Sequence, residues 1–386
     1  MSAAPLNSVY LDYNATAPVR PEAIAAMTRV MGRVGNPSST HAAGRAARAE
    51  MEAAREAVAA LVGAPPANLV FTSGGTEASN LAIASAVAAG AKRLIVSAIE
   101  HDCIHATAQA SDAAVEIWPV SADGVADLAW LDARLAAWDA ADGAPFVALM
   151  LANNETGVIQ PLAEAAQIVR AAGGWLHVDA VQAAGKIAID MGALGADTLA
   201  VSAHKIGGPQ GAGALAFGPR ATLFRRQHGG GQERGRRGGT ENLPGIAGFG
   251  AAASAALRDL PHYADQAAWR DAAIERLRAA APIKVFGANA PRLANTLCFA
   301  APGGSSETLV MALDLDGVMV SAGSACSSGK VKASPVLAAM GETDLAGAAL
   351  RVSGGWASTE TDWVRFTEAW LSSHARLQSR QRVSAA

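Results

Sequence analysis

Cysteine is scarce in this sequence: Cys103, Cys298 and Cys326 are the three among 386 residues. They are widely spaced and form no CxxC or CxxH pair, which leaves no basis for a metal site or a disulfide framework. Aromatic residues make up only 5%, whereas 51% of the chain is hydrophobic and glycine and alanine abound. That balance excludes a disordered chain and describes an α/β protein with an interior of small side chains. A net charge of -3 supplies no concentrated positive field, so neither nucleic acid nor an anionic membrane is expected as a partner. No charge-free apolar stretch is long enough to span a bilayer, and the opening MSAAPLNSVYLDY lacks the basic and apolar regions of a signal peptide. The expected compartment is the cytoplasm.

What is present is an alternation of short runs rich in Val, Ile and Leu with Ala-rich helical stretches, the pattern of parallel strands joined by crossover helices. Strands are predicted at Asn68 to Thr72, Arg93 to Ser97, Phe146 to Leu151, Trp175 to Asp179, Thr198 to Ser202 and Gly213 to Phe217. Helices are predicted at Ala42 to Leu61, stopped by Gly63 and the Pro65-Pro66 pair, and at Leu162 to Ala172. From about Leu257 the texture changes. A charged amphipathic stretch runs through Arg278, and apolar segments follow at Ile283 to Phe286, Leu293 to Phe299 and Thr308 to Leu315. A chain of this length accommodates one large and one smaller lobe. The boundary is placed near residue 257, and the short strand Val9 to Leu11 is assigned to the later lobe.

Polar residues cluster where the predicted strands end, the edge at which open α/β sheets bind ligands. Phe71-Thr72-Ser73-Gly74-Gly75-Thr76-Glu77 runs from strand to helix. Backbone N–H groups there could hold a phosphate, and a plain helix start fits the same residues. Leu176-His177-Val178-Asp179 ends in an acid, with Gln182 three residues on. Asp179 either caps a helix or faces a cationic ligand nitrogen. Leu199-Ala200-Val201-Ser202-Ala203-His204-Lys205 is followed by Gly207-Gly208-Pro209, which leaves Lys205 on a loop. It is either a solvated surface lysine or the desolvated amine that Schiff-base chemistry requires.

Together these residues resemble the fold-type-I pyridoxal-phosphate enzymes, and within them the class-V aminotransferase branch that contains the NifS/IscS-like cysteine desulfurases. The likeness covers nearly the whole chain through ordered blocks. They include Leu11 to Thr16, Gly35 to Ser39, Thr72 to Asn80, Glu100-His101, Asn153-Asn154-Glu155, His177 to Gln182, Ser202 to Lys205, His228 to Thr240, Ser324-Ala325-Cys326 and Arg351-Val352-Ser353. The resemblance implies an α/β fold. A large domain, residues 15–257, would hold a mostly parallel mixed seven-stranded sheet between helices. A smaller α+β domain, 258–386, would have residues 1–14 packed on it.

The same resemblance implies roles. Lys205 would carry pyridoxal 5'-phosphate covalently and then act as a base, Asp179 would pair with the pyridine nitrogen, and His101 would stack on the ring and shuttle protons. Gln182 and Asn154 would reach the ring-oxygen side. Gly75, Thr76, Ser202 and His204 would hold the phosphate, and Thr240 would reach the phosphate of a second subunit, which implies a homodimer. Arg351, with Asn154, would bind the substrate carboxylate. Cys326, in the small-residue run Ser321 to Lys330, would take sulfur from L-cysteine as a persulfide, leaving L-alanine, and pass it to an acceptor protein in iron–sulfur assembly or tRNA thiolation. Cys298 reads as a buried strand residue, and Cys103 as packed behind His101.

The chain departs from the usual family pattern at Ala17 and Trp356, and its tail, Gln378 to Ala386, carries no recognisable scaffold-docking motif. Rival readings share the fold: a selenocysteine lyase, another class-V aminotransferase, or a sulfur-trafficking subunit that needs a partner for turnover. A reading from another class treats the basic run 234–239 as a nucleic-acid contact.

Overall fold

The computed structural model describes residues 8–323 and 334–384. Strand β1 (Val9–Tyr10) leads into a polar loop, and then helix α1 (Pro21–Met31) starts on its own proline, whose fixed φ and missing N–H suit a first helical position. Helix α2 (Ala42–Leu61) follows. It stops at Gly63, whose φ of 64° is left-handed and where an added Cβ would sit 2.7 Å from the Asp190 Cα.

The large sheet holds β2 (Leu69–Thr72), β3 (Arg93–Ser97), β4 (Ala114–Trp118), β5 (Phe146–Ala148), β6 (Trp175–Asp179), β7 (Thr198–Ser202) and β8 (Gly213–Phe217). Their order is β2-β8-β7-β6-β5-β3-β4, and β8 alone runs antiparallel to its neighbours. Strands β2, β7 and β8 are buried along their whole length and lack polar alternation, as a sheet covered on both faces requires. The edge strand β4 keeps Glu116 and other residues partly exposed, which hides its periodicity in the sequence.

Because β2, β3, β5, β6 and β7 point the same way, the segments after Thr72, Ser97, Ala148, Asp179 and Ser202 all emerge at one edge. Helix α3 (Gly75–Ala88) is apolar on most of its surface and lies buried against the sheet. His177 of β6 ties it down: one ring nitrogen lies 3.2 Å from the Ser79 hydroxyl of α3 and the other 2.9 Å from the Thr198 hydroxyl of β7. Helix α4 (Asp102–Gln109) follows β3.

The remainder builds a second layer. Strands β9 (Lys284–Val285), β10 (Thr296–Ala300), β12 (Ser321–Ala322) and β13 (Leu350–Ser353) form an antiparallel sheet in the order β12-β13-β10-β9, while β11 (Val318–Met319) pairs in parallel with β1. Val9 and Leu11 share a core with Leu297, Phe299, Val352, Trp363 and Trp370. Helices Leu260–Ala280 and Glu360–Ser384 pack on that sheet, and the apolar stretch ending at Leu315 is the helix Ser306–Leu315. Among the described residues no helix is long and apolar enough to cross a membrane.

Burial pushes the His177 ring from the usual 6.5 down to about 3. The folded protein therefore keeps this ring neutral while the unfolded chain protonates it below about 6.5, so its contribution is whole above that pH and is lost as the pH falls toward 3. The fall in melting temperature across that window should be shallower for His177→Gln than for the unaltered chain. Equal slopes would assign the acid sensitivity elsewhere.

Candidate active site

The common edge opens into a cavity of about 290 Å3. Gly75, Thr76, His101, Asn154, Asp179, Gln182, Ser202, His204 and Lys205 line it, together with Ala15, Cys103, Met150, Ala152 and Val181. A larger groove of about 670 Å3, bordered by Tyr10, Ile24, Met27, Met31 and Pro209, is almost wholly apolar and offers no acid or base. The chemistry places the site in the smaller cavity.

Its anion end is the start of α3. Gly74 caps the helix without a side-chain bond, and the first intrahelical bond runs from Ala78 N–H to Gly74 O, so the first-turn N–H groups are not spent inside the helix. A Cβ at Gly75 would come within 2.7 Å of the Val181 Cγ2, so glycine there lets the helix start approach the β6 loop. Ser202 and His204 supply further polar groups from the β7 end. Burial, with the Lys205 charge adding, pushes His204 down to about 4, so its ring is neutral near pH 7; its Nδ1 lies 3.2 Å from the Thr16 hydroxyl.

Asp179 closes β6. Burial pushes its carboxyl up, while the Val181 N–H at 2.9 Å and the charges of His101 and Lys205 hold it down. A buried carboxylate so placed suits a cationic nitrogen. Glu100 is its foil: burial first, then the Asp179 charge, pushes its carboxyl well above the usual value despite the Met150 N–H at 2.5 Å. His101 caps α4 and accepts the Cys103 N–H on Nδ1 at 3.1 Å.

Lys205 donates from Nζ to the carbonyl of Asn14 and, at 3.0 Å, to that of Ala15. Two backbone carbonyls thus hold the amine at the end of β7, and its charge acts on the Asp179 carboxyl. Arg351 does not line the cavity. Its Nη2 pairs with Asp12 Oδ1 at 2.8 Å and its Nη1 donates to the Asn154 carbonyl at 3.2 Å, so it reaches the cavity wall through Asn154.

Other expected residues fall elsewhere. Cys326 lies outside the described residues, as do Ser324 and Ala325. Cys298 is fully buried in β10, and burial pushes its thiol far upward. Cys103 is half-buried beside His101, as expected, and also forms part of the cavity wall. Thr240 is exposed and away from the cavity of its own chain. The stretch before it is pinned by Glu233, which accepts two bonds of 2.8 Å from Arg55 and one of 2.9 Å from Phe71 N–H. Its arginines are engaged internally: Arg237 with Glu77, Arg236 over the Phe217 ring, Arg234 with the Ala67 carbonyl. Trp356 donates to the Pro18 carbonyl at 2.9 Å and lies under the Arg20 guanidinium. Sequence reasoning missed Asn14, whose backbone carbonyl meets Lys205, and the buried Lys186 behind Gln182. Among the described residues no cluster of His, Cys, Asp and Glu could hold a metal ion.

The sheet order and the placement of the cavity define a fold-type-I transferase. Residues 9–366 match the family model described as aminotransferase class-V. An IscS-like cysteine desulfurase of Mycobacterium tuberculosis is 38% identical over 92% of this chain and 93% of its own length. The crystal structure of a NifS-like protein from Rickettsia africae superposes with a TM-score of 0.88 at 30% identity, covering 96% of this chain and all of that one. A structure titled SspA in complex with cysteine matches with a TM-score of 0.76 at 27% identity, covering 90% of this chain and 98% of that one. The chain belongs to the class-V aminotransferase family, in its NifS/IscS-like cysteine desulfurase branch.

Gly75→Ala should lower the stability of the protein by about 1–3 kcal/mol through the clash with Val181. Urea denaturation measures this, and an unchanged midpoint would show that the helix start can retreat at no cost.

Proposed function

We propose that this chain is a cysteine desulfurase, which uses pyridoxal phosphate to take sulfur from L-cysteine, leaving L-alanine and a persulfide on Cys326. The observation that supports it most is the meeting of an amine, a buried carboxylate and an uncapped helix start in one cavity, Lys205, Asp179 and Gly75-Thr76. That donor set fits a phosphorylated pyridine carbaldehyde: an anion at the helix start, a cationic ring nitrogen at Asp179, a carbonyl carbon for the amine. The kinship with cysteine desulfurases, and the cysteine found with SspA, favour cysteine as substrate.

When bound, pyridoxal phosphate supplies an electron sink for the negative charge that develops at the substrate Cα. Gly75, Thr76, Ser202 and His204 would hold the phosphate, with Thr240 of a second copy reaching it; Asp179 would pair with the ring nitrogen, His101 would stack on the ring, and Gln182 and Asn154 would reach the ring-oxygen side. Arg351, paired here with Asp12, would exchange that partner to bind the substrate carboxylate, a planar task to which a guanidinium is suited. Lys205 would act as the base that removes the Cα proton. The Cys326 thiolate then attacks the substrate sulfur: an S–S bond forms, the Cβ–S bond breaks, and its electron pair stays with Cβ, which takes up a proton to give alanine. His101 would relay protons. The sulfur passes to an acceptor protein in iron–sulfur assembly or tRNA thiolation.

The test mixes purified protein with pyridoxal phosphate, L-cysteine and a reductant and measures sulfide and alanine. Cys326→Ala should stay yellow and release no sulfide, and Lys205→Ala should lose turnover and the borohydride-reducible adduct. Equal sulfide release by the unaltered chain and Cys326→Ala would overturn the assigned nucleophile, and no adduct at Lys205 would overturn the whole reading.

A further inference from the structure

Lys186 has no part in the reaction above, yet it is only 5% exposed and stands directly behind the cavity wall. Its Nζ donates to Asn14 Oδ1 at 2.8 Å and to Gln182 Oε1 at 3.0 Å. Burial pushes its amine well below the usual lysine range, and the nearby cations Lys205 and Arg351 act in the same sense.

A carboxamide has nearly the same shape at both ends, so only its partners decide which end faces where. With Oε1 on Lys186, the Gln182 Nε2 donates to the Asn14 carbonyl at 2.8 Å, and its second N–H is left for the cavity that Gln182 lines. The flipped amide would set its oxygen against the Asn14 carbonyl and give up the bond that Lys186 donates. The same lysine orients Asn14: with Oδ1 taken, Nδ2 donates to the Asn154 carbonyl at 3.2 Å and to the Thr296 hydroxyl at 3.0 Å.

We infer that Lys186 is a positioning residue: it fixes the Gln182 amide so that an N–H donor, and not a carbonyl oxygen, faces the oxygen of the bound ring. The ring oxygen enters through the pyridoxal-phosphate reading; the orientation of the amide stands on the chain alone. A donor on that oxygen stabilises the form that has lost a proton, so removing the donor raises the pH at which the absorbance of the bound chromophore changes.

The experiment titrates the visible absorbance of protein reconstituted with pyridoxal phosphate, with melting of the cofactor-free variants as a control on folding. Lys186→Met and Gln182→Leu should each raise the midpoint by about one pH unit, a tenfold change in proton affinity. The double variant should go no further than Gln182→Leu alone, because nothing remains to be oriented. Additive shifts would mean that Lys186 acts by its own charge, and an unmoved midpoint in Lys186→Met would mean that it orients nothing; either overturns the inference. A second readout needs no cofactor: neutron diffraction from cofactor-free crystals exchanged into heavy water. Deuterons on the Gln182 atom beside the Asn14 carbonyl support the inference, and deuterons on the atom beside Lys186 overturn it. If the unaltered chain gains no chromophore at all, the cofactor reading fails, while the neutron map still decides the role of Lys186.

Discussion

One backbone carbonyl joins the two layers of this molecule. The oxygen of Asn14 accepts from Lys205, at the end of β7, and from Gln182, after β6, while the N–H of the same residue donates to Ser353 on β13 at 3.0 Å. The Asn14 side chain extends the joint to Thr296 of β10, to the Asn154 carbonyl and to Lys186. Asn14 is 1% exposed, so each of these bonds is made where an unpaired polar group would be costly. The reactive amine is thus held by a segment that belongs to neither the large sheet nor the small one.

Desolvation is what distinguishes the groups around it. Glu100, His204 and Lys186 are each pushed toward their neutral forms by burial, so charge is concentrated on few groups. Asp179 is held between burial, which favours its protonated form, and a backbone donor with two basic neighbours, which favour the anion. Such a carboxyl responds strongly to a cation placed against it, which is the condition for steering a ring nitrogen. Arg351 meets Asp12 in the same economical way, one buried cation against one carboxylate.

The strand ends that build the site were legible in the sequence because each long-range feature had a local signature. A parallel strand buried on both faces reads as an unbroken apolar run, and a polar residue directly after it can lie only at the carboxyl edge, as Asp179 and Ser202 do. The edge strand β4 left no such trace, since its half-exposed residues break the run. Phe146 to Leu151 reads as one strand; the regular strand ends at Ala148, although the Leu149 and Leu151 N–H groups still bond to the His177 and Asp179 carbonyls of β6. Lys186 was invisible for a different reason. Nothing in Gly185-Lys186-Ile187 marks the lysine as buried, because its partner Asn14 is 172 positions away in the chain. The placement of Cys103 on the cavity wall likewise depends on the His101 cap, a detail of backbone geometry.

The pairing of β1 with β11 also bears on the order in which the molecule can be made. Asp12 and Arg351 are separated by 339 positions. At ribosomal rates of roughly 5–20 residues per second, that distance takes on the order of 20–70 s to synthesise. The large sheet can close in the meantime, since its strands lie between residues 69 and 217. Strand β1 therefore waits for β11, and the bond from the Asn14 N–H to Ser353 forms only after that residue has emerged.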